Sequence, residues 1–282
     1  MIFVSQSRSD EEEYIIAQRY LNGESARAIA RSFGLSHHIS ITAALRRQNV
    51  QQRSPAERNR LYQLDQYVFD VIDTEEKAYW WGFLYADGST HKKSLILTLS
   101  IKDKKQIEKF KVFLKSEHPV RIVDEKLNGK IYKKAQIFTT HEYLTNRARE
   151  LGIKKGRPDF NKHIQQLPNN LVSHWIRGYL DGDGSIKRKT AVGFVGKQDV
   201  LKWIRLQFNI HCNTNPNLSI QRVKGKNIRR LTISGRIQAL KVVKFLYKDT
   251  TIYMERKKEI ADKWRIFFPL TLWIDRFGFV LQ

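Results

Sequence analysis

Hydrophobic periodicity divides the chain into a short helical region and a longer region in which helical and strand patterns alternate. Within the first fifty residues, three segments repeat apolar side chains at the spacing of a helix face. The inward positions are Ile15, Ile16, Ala17 and Tyr20 in the first segment, Ala26, Ile29, Ala30 and Phe33 in the second, and Ile39, Ala43 and Leu45 in the third. Ser25 and Ser36 stand where the N-caps of the second and third helices are expected, and Gly34 separates these helices. We therefore predict a small all-α unit of three helices.

The third helical segment carries a polar and basic side. His37, His38, Arg46 and Arg47 lie away from its apolar positions, where the recognition helix of a helix-turn-helix module contacts bases. The stretch GESARAIARSFGLS resembles the turn-flanking pattern of resolvase-type helix-turn-helix modules. An ordinary three-helix cap is the alternative. We predict a helix-turn-helix DNA-binding domain over residues 1–50, followed by a linker over residues 51–74.

The longer region contains the same order of patterns twice. The stretch SLILTLSI alternates apolar and polar residues, which predicts a strand with Leu95, Leu97, Leu99 and Ile101 on one face. Asn128-Gly129 between two strand patterns predicts a two-residue hairpin. We predict an α+β fold with two tandem αββαββα units, over residues 75–170 and 171–282. The apolar tail, IFFPLTLWIDRFGFVLQ, is expected to pack on the second unit.

A short motif recurs near the start of each unit: WWGFLYADGST at residues 80–90 and IRGYLDGDGSI at residues 176–186, called here the first and second motifs. Gly82 and Ala86 are four positions apart, as are Gly178 and Gly182, so each pair shares one helix face. Residues this small let another backbone come close, although Gly inside a helix costs about 0.5–1 kcal/mol relative to Ala. We predict that the two helices pair in pseudo-twofold fashion, with Gly82 and Gly178 at their contact.

Asp87 and Asp183 stand at the C-terminal ends of these two helices. A carboxylate there meets the unfavourable end of the helix dipole, and two such groups repel each other if the helices pair in parallel. A divalent cation relieves both effects, and oxygen ligands suit Mg²⁺. Such a pair in a basic protein favours metal-assisted phosphodiester hydrolysis. A helix-to-strand turn without chemistry is the alternative, and it accounts for one copy better than for two.

The second motif also has a superficial likeness to a calcium-binding loop. Asp181, Asp183 and Ser185 match positions 1, 3 and 5 of such a loop. Position 6 is Ile186 instead of Gly, and position 12 is Val192 instead of Glu. A calcium loop is therefore excluded.

Charge is the strongest global signal. The 282 residues include 51 Lys and Arg against 28 Asp and Glu, which gives a formal net charge of +23. This excess favours nucleic acid as the partner over a solubilising surface or an anionic membrane. No apolar run approaches the ~18 residues of a membrane span, so no membrane association is expected. The single cysteine, Cys212, rules out an internal disulfide and favours an intracellular setting.

The two motifs resemble those of the LAGLIDADG homing endonucleases in their single-chain, two-motif form. The resemblance rests on WGFLYADGS and RGYLDGDGSI, together with LPNNLVSHWIRGYLDGDG and LGIKKGRP, and covers residues 75–264. It implies that Asp87 and Asp183 bind the catalytic Mg²⁺, with main-chain carbonyls from Ala86 and Gly182. Tyr85 stands where the family name has its first Asp, a position that is not the metal ligand.

The family also carries a basic residue near each scissile phosphate, after the last helix of each unit. The matching stretches are LGIKK and YMERKK. The resemblance therefore implies catalytic roles for Lys155 and Lys257, and their neighbours Lys154 and Arg256 stay open as alternatives. Such a cation orients the attacking water or stabilises charge at phosphorus.

The resemblance further implies that each antiparallel sheet forms half of a saddle on the DNA major groove. Arg and Lys side chains match guanine edges, and Gln matches adenine. The strand residues proposed to contact DNA are Arg121, Lys133, Lys134, Gln136, Lys187, Arg188, Lys189, Gln221, Arg222, Arg229 and Arg230. A register error of one residue would move any of them to the other face.

Together these features predict a monomeric, Mg²⁺-dependent endonuclease that cuts both strands of a long asymmetric DNA site. The helix-turn-helix domain would extend the footprint, and its presence favours a free-standing enzyme of a mobile element over an intein insert. A non-cutting transcription regulator of the same fold is one alternative, although it would be expected to have lost one acid. An RNA maturase is the other, with RNA as a less favoured partner than double-stranded DNA.

Overall fold

The computed structural model describes residues 9–22, 24–52, 62–154, 156, 158–187, 191–214, 220–222 and 228–267. The chain divides into two compact units, Met1–Tyr62 and Gln63–Gln282. The apolar tail from residue 268 onwards lies outside the described residues, so its predicted packing stays a prediction.

The smaller unit contains three helices: α1 (Asp10–Leu21), α2 (Ala26–Ser32) and α3 (Ile39–Arg47). Ser25 caps α2, because its side chain accepts a hydrogen bond from the Ala28 amide at 3.1 Å. The predicted cap Ser36 is wrong, since His38 is the N-cap of α3 and makes no side-chain cap bond. The three helices pack around one hydrophobic core, which is formed by Ile16, Ala17, Tyr20, Ala26, Ile29, Ala30, Ile41, Ala44 and Leu45.

Two positions predicted to face this core are exposed. Ile15 is 45% exposed and Ile39 is 71% exposed, and Ala43 is only half-buried. Because α3 starts at residue 39, three residues after the expected cap, Ile41 and Leu45 form its inward face at i, i+4 spacing. The later start leaves Ile39 in the first turn on the outer side.

The predicted linker begins to pack on the larger unit from residue 63. The Asp65 amide donates to the Leu114 carbonyl at 2.8 Å, and the Glu117 amide donates to the Gln63 carbonyl at 3.0 Å. Phe69 is fully buried. The second part of the predicted linker is thus a structural part of the larger unit.

The larger unit repeats one order of elements, αββαββα, as predicted. The first repeat contains α4 (Glu75–Asp87), β1 (Gly88–His91), β2 (Ser94–Ser100), α5 (Lys104–Phe113), β3 (Arg121–Leu127), β4 (Lys130–Thr140) and α6 (Glu142–Glu150). After the short α7 (Lys162–Gln165), the second repeat contains α8 (Asn169–Asp183), β5 (Gly184–Lys187), β6 (Ala191–Gly196), α9 (Gln198–Cys212), β7 (Ile220–Arg222), β8 (Arg229–Ser234) and α10 (Arg236–Tyr247). Helix α11 (Glu255–Phe267) follows. The predicted α+β class is confirmed.

Each repeat builds one four-stranded antiparallel sheet with the same topology. The strand orders are β1-β2-β4-β3 and β5-β6-β8-β7. The predicted hairpin joins β3 to β4, and Asn128 and Gly129 take φ values of 49° and 75°, as a turn with two left-handed residues requires. Ile101 differs from expectation, because it lies in a 3₁₀ turn after β2 and is 37% exposed.

The hydrophobic core lies between the helices and one face of each sheet. Leu95 and Leu97 in β2 are buried beside Ala135 and Ile137 in β4, and α5 packs against both strands. In the second sheet, Val192 and Phe194 of β6 are buried in the same way. The opposite face of each sheet therefore carries the residues that alternate with these, and it is called here the open face.

Candidate metal centre and nucleic-acid interface

Helices α4 and α8 lie in backbone contact at the centre of the larger unit. A Cβ atom added to Gly82 would lie 2.0 Å from the Trp175 carbonyl oxygen, and one added to Gly178 would lie 2.0 Å from the Tyr79 carbonyl oxygen. No side chain fits at either position without moving a helix. The structure thus places both of the small residues named from the sequence at this contact.

The ends of the two helices meet at the next small residues along the same faces. A Cβ atom added to Gly182 would lie 2.5 Å from the Ala86 Cβ and 3.2 Å from Asp87 Oδ2. The space between the helix ends therefore holds one methyl group and excludes a second. This explains why one motif has Ala where its twin has Gly.

Asp87 and Asp183 are the last residues of α4 and α8, and the strands β1 and β5 begin immediately after them. Burial, with the nearby charge of Asp183, raises the pKa of Asp87 to about 7. Burial raises the pKa of Asp183 to about 6, against the opposing charge of Lys257. Among the described residues, no group donates a hydrogen bond to either carboxylate. Asp87 is half-buried and Asp183 is exposed, so both carboxylates are accessible and free to accept ligands.

The oxygen atoms around the helix ends suit a hard divalent cation. Ala86 and Gly182 belong to the final turns, where a helix leaves carbonyl groups without an i+4 amide partner. Within the described part of the chain, no group of three or more His, Cys, Asp or Glu side chains could hold a metal ion. Two carboxylates with carbonyl oxygens match Mg²⁺, which keeps several waters or substrate oxygens as ligands. The residues present therefore fit the predicted metal.

Lys257, predicted to face a scissile phosphate, is turned toward the protein. It is 3% exposed, and its Nζ donates to the carbonyl oxygens of Leu180, Asp181 and Gly184 at 2.5, 2.7 and 2.9 Å. An ammonium group has three donors, so all of them are used. Burial lowers its pKa to about 8, although the charge of Asp181 opposes this. Lys257 thus fixes the backbone on both sides of Asp183, and its role beside a scissile phosphate stays a prediction.

The other predicted cations near the centre have different surroundings. Lys155 lies outside the described residues, so its catalytic role stays a prediction. Lys154 pairs with Asp159 at 3.0 Å. Arg256 pairs with Asp103 at 2.9 Å.

Asp181 is a buried acid whose importance was not inferred from the sequence. It is fully buried and accepts hydrogen bonds from Tyr79 Oη at 2.8 Å, Tyr247 Oη at 3.0 Å and the Met254 amide at 2.8 Å. Burial raises its pKa, although the charge of Lys257 opposes this. The carboxylate thereby joins α4, α8, α10 and the loop before α11. A charged residue inside an otherwise apolar helix face was the available signal.

A second buried polar cluster ties the same loop to the start of α4. Arg177 is fully buried and donates to Glu75 Oε1 at 2.7 Å and to the Ile252 carbonyl at 3.0 Å. Glu75 also accepts from the Thr251 amide at 2.9 Å. The two bonds to Glu75 connect the first repeat to the second between groups that are 102 and 176 residues apart in sequence.

The first sheet presents several of the predicted DNA contacts on its open face. Arg121 pairs with Gln136, which pairs with Thr98, and Gln136 Nε2 donates to Thr98 Oγ1 at 2.8 Å. Lys134 lies on the same face and pairs with Glu125 at 2.5 Å. Lys133 alternates to the helix-facing side, where it lies opposite Asp124, so its prediction as an open-face residue is wrong.

The second sheet divides its basic residues in the same way. Lys187 and Arg230 are exposed on the open face. Arg229 is next to Arg230 in β8, so it lies on the opposite face of the strand, together with buried Leu231. Arg229 is therefore not an open-face residue. In β7, Gln221 pairs with Arg230 and Arg222 pairs with Arg229 in the backbone register. Arg188 and Lys189 lie outside the described residues.

The predicted contacts of the helix-turn-helix unit also separate into two groups. His37 and Arg46 are exposed, and His38 is half-buried as the N-cap of α3. Arg47 forms a bidentate ion pair with the buried Glu13 of α1, with Nε 2.8 Å from Oε1. Arg47 therefore helps to hold α3 on α1, while its side chain stays 57% exposed, and its contact with DNA stays a prediction.

None of the described helices combines the length and apolar character needed to cross a membrane. No protein-family model matches the sequence, and no curated protein matches it either.

Solved structures with a similar fold do exist. The homing endonuclease I-WcaI, bound to its DNA recognition sequence, is 17% identical, and the match covers 66% of this chain and 87% of that chain with a TM-score of 0.48. The I-SmaMI LAGLIDADG homing endonuclease, bound to cleaved DNA, is 17% identical over 66% of this chain and 86% of that chain, with a TM-score of 0.43. The N-terminal LAGLIDADG domain of DUF199/WhiA is 16% identical over 70% of this chain and 92% of that chain, with a TM-score of 0.41.

These neighbours are LAGLIDADG proteins, the family that the two motifs resemble. Similarity at this level carries no information about activity. The function proposed below therefore rests on the chain's own residues.

Proposed function

We propose that the chain is a site-specific DNA endonuclease that hydrolyses one phosphodiester bond on each strand with Mg²⁺. The observation that carries the proposal is the pair Asp87 and Asp183. Neither carboxylate accepts a hydrogen bond from a described residue, and the pKa of each is raised. The two acids end helices that lie in backbone contact, in a chain of net charge +23. A structural turn has no need of two partnerless acids at such a place.

Each group at the centre has a distinct part in the proposed reaction. Bound Mg²⁺ would stabilise charge on the phosphate and lower the pKa of the attacking water. Asp87 and Asp183 would hold it, with the Ala86 and Gly182 carbonyl oxygens as further ligands. Lys257 keeps the backbone around Asp183 in place. Lys155 is proposed as a cation beside the scissile phosphate.

The open faces of the two sheets would form the DNA-binding saddle. Arg121, Lys134, Lys187 and Arg230 provide positive charge there, and Gln136 provides an amide for adenine. The proposed domain order is residues 1–50 for the helix-turn-helix domain, 51–74 for the linker, and 75–170 and 171–282 for the two halves of a monomeric nuclease. The helix-turn-helix domain would add affinity by tethering.

Cleavage of a randomised duplex library tests the proposal. Wild type in Mg²⁺ should produce cut duplexes, and EDTA should abolish them. Asp87→Asn and Asp183→Asn should each lower the rate by at least about 100-fold, the size expected for the loss of an electrostatic contact in the transition state. Asp249→Asn is the matched control, because Asp249 is an exposed residue with φ of 49° that Asn also tolerates.

Two results would contradict the nuclease proposal. One is specific DNA binding without cleavage in Mg²⁺, which would favour the non-cutting regulator. The other is cleavage that survives both substitutions, which would point to a contaminating nuclease. Stronger binding of structured RNA than of any duplex DNA would favour the maturase.

A further inference from the structure

The first sheet carries bulky apolar side chains on its open face next to Asp87. β1 begins directly after Asp87, and Ser89, its second residue, pairs with Ile96, which pairs with Phe138. Two residues along a strand span about 7 Å, so this row of three lies close to the helix end. Phe138 is 39% exposed. An aromatic ring thus stands on the open face beside the first acid.

The second sheet has small side chains in the equivalent row. Ser185 is the second residue after Asp183, and it pairs with Gly193, which pairs with Thr232. A Cβ atom added to Gly193 would lie 3.0 Å from Ser185 Oγ. In the first half, this row presents the ring of Phe138 and the branched apolar side chain of Ile96. In the second half, the equivalent row presents Ser185, Gly193 and Thr232.

The exposure of Phe138 is not a requirement of the core. Its neighbours Ile137 and Thr139 are fully buried on the helix-facing side, so alternation directs Phe138 away from them. The same open face carries Arg121, Lys134 and Gln136, and the net charge of the chain is +23. This charge favours duplex DNA as the occupant of the face.

We propose that the row Ile96–Phe138 makes the DNA half-site beside Asp87 selective for thymine, through contact with the thymine 5-methyl group. Apolar side chains, including Phe, recognise that methyl group in the major groove. The row Gly193–Thr232 offers only the small methyl group of Thr232, so weaker methyl selectivity is expected at the equivalent base pairs beside Asp183. This inference rests on the proposed binding of duplex DNA, and it does not depend on cleavage.

The test measures binding by the full chain in EDTA, where no cutting occurs. Duplexes bound by wild type are selected from a randomised library, and each thymine of the selected site is replaced singly by deoxyuridine, which lacks only the methyl group. Removing one buried methyl should weaken binding about three- to fivefold. We expect the larger loss at thymines on one side of the site centre.

Matched variants test whether the row Ile96–Phe138 causes this loss of binding. Phe138→Thr copies Thr232 and should lose most of the selectivity for thymine over uracil. Phe138→Leu should keep the selectivity, and Thr232→Phe should strengthen it on the other side of the site.

Several results would overturn the inference. Equal affinity of wild type for thymine and uracil duplexes is one, and a Phe138→Thr variant that retains full selectivity is another. A large drop in the melting temperature of DNA-free Phe138→Thr would show that the chain itself covers this ring. If wild type binds no duplex at all, the proposed function fails together with the inference, whereas uniform affinity removes the inference alone.

Discussion

The two motif helices share a contact but are anchored in different ways. In α8, Asp181 holds two tyrosine hydroxyls and the Met254 amide inside the larger unit. In α4, the equivalent position is Tyr85, whose ring lies 5.3 Å from that of Trp175 and 5.8 Å from that of Tyr179. One helix is fastened by a buried charge and the other by aromatic packing. The duplicated halves keep Gly82 and Gly178 at their contact, and they differ at Tyr85 and Asp181, each of which also contacts the other motif helix.

The difference extends to the two acids of the centre. Lys257 holds three carbonyl oxygens around Asp183, and its charge opposes the rise in the pKa of Asp183. The pKa of Asp87 is the higher of the two, about 7 against about 6. The charge of Lys257 opposes the rise in pKa at both acids, and at Asp87 the charge of Asp183 adds to the rise.

Replacing the residue at the divergent position should have the largest effect on stability in α8 and almost none in α4. Asp181→Ala should lower the free energy of unfolding by about 3 to 5 kcal/mol, because it leaves three buried donors without their acceptor and removes the opposite charge near Lys257. Tyr85→Phe should change it by less than about 0.5 kcal/mol, since the Tyr85 hydroxyl has no hydrogen-bond partner among the described residues. Chemical denaturation of the full chain measures both. Equal losses would mean that the two helices are anchored alike.

A methyl group at the helix contact should be costly in both halves. Gly82→Ala and Gly178→Ala should each lower the free energy of unfolding by about 2 to 3 kcal/mol, the upper range for overpacking, because each new Cβ would meet a carbonyl oxygen at 2.0 Å. Denaturation curves of the two variants should nearly coincide. A variant as stable as wild type would show that the helices lie further apart.

The pair Ala86 and Gly182 should behave as an exchangeable unit. Gly182→Ala should lower the free energy of unfolding by about 1 to 2 kcal/mol through its clash with the Ala86 methyl. Adding Ala86→Gly should restore most of that loss, because the pair again holds one methyl. A double-mutant cycle measures the coupling, and additive effects would contradict the shared space.

Ionisation of the acids should affect the two halves unequally in the absence of metal. The folded pKa of Asp87, about 7, exceeds its ordinary value of 3.8, so the stabilisation from its protonated form is complete below pH 4 and is lost as pH rises through 7. At pH 8 in EDTA, Asp87→Asn should therefore be more stable than wild type, by on the order of 1 kcal/mol. Asp183→Asn should gain less.

Melting temperatures from pH 4 to pH 8 check this prediction. The advantage of Asp87→Asn should vanish near pH 4 and should reverse when Mg²⁺ is added, because only wild type keeps both carboxylates. A wild type that stays the more stable at pH 8 in EDTA would contradict the assigned repulsion.

Local patterns were enough to predict the repeat, the helix contact and the two acids. The spacing of Gly82 and Ala86 belongs to one helix, and the hairpin at Asn128-Gly129 belongs to one turn. The role of Lys257 was beyond such patterns, since its three partners lie 73 to 77 residues away. The ion pair of Arg47 was also beyond such patterns, because its partner Glu13 is 34 residues away. The faces of Lys133 and Arg229 depended on a strand register that alternation alone leaves uncertain by one residue.

The single methyl group between the helix ends makes the contact between the duplicated halves asymmetric. Two copies of the first half, brought together with the same geometry, would set Ala86 against Ala86, where one methyl already fills the space. Two copies of the second half would leave that space empty. If the chain is split into separate halves, the first half should therefore pair with the second half in preference to a copy of itself. This one contact favours the fused arrangement over a homodimer of either half.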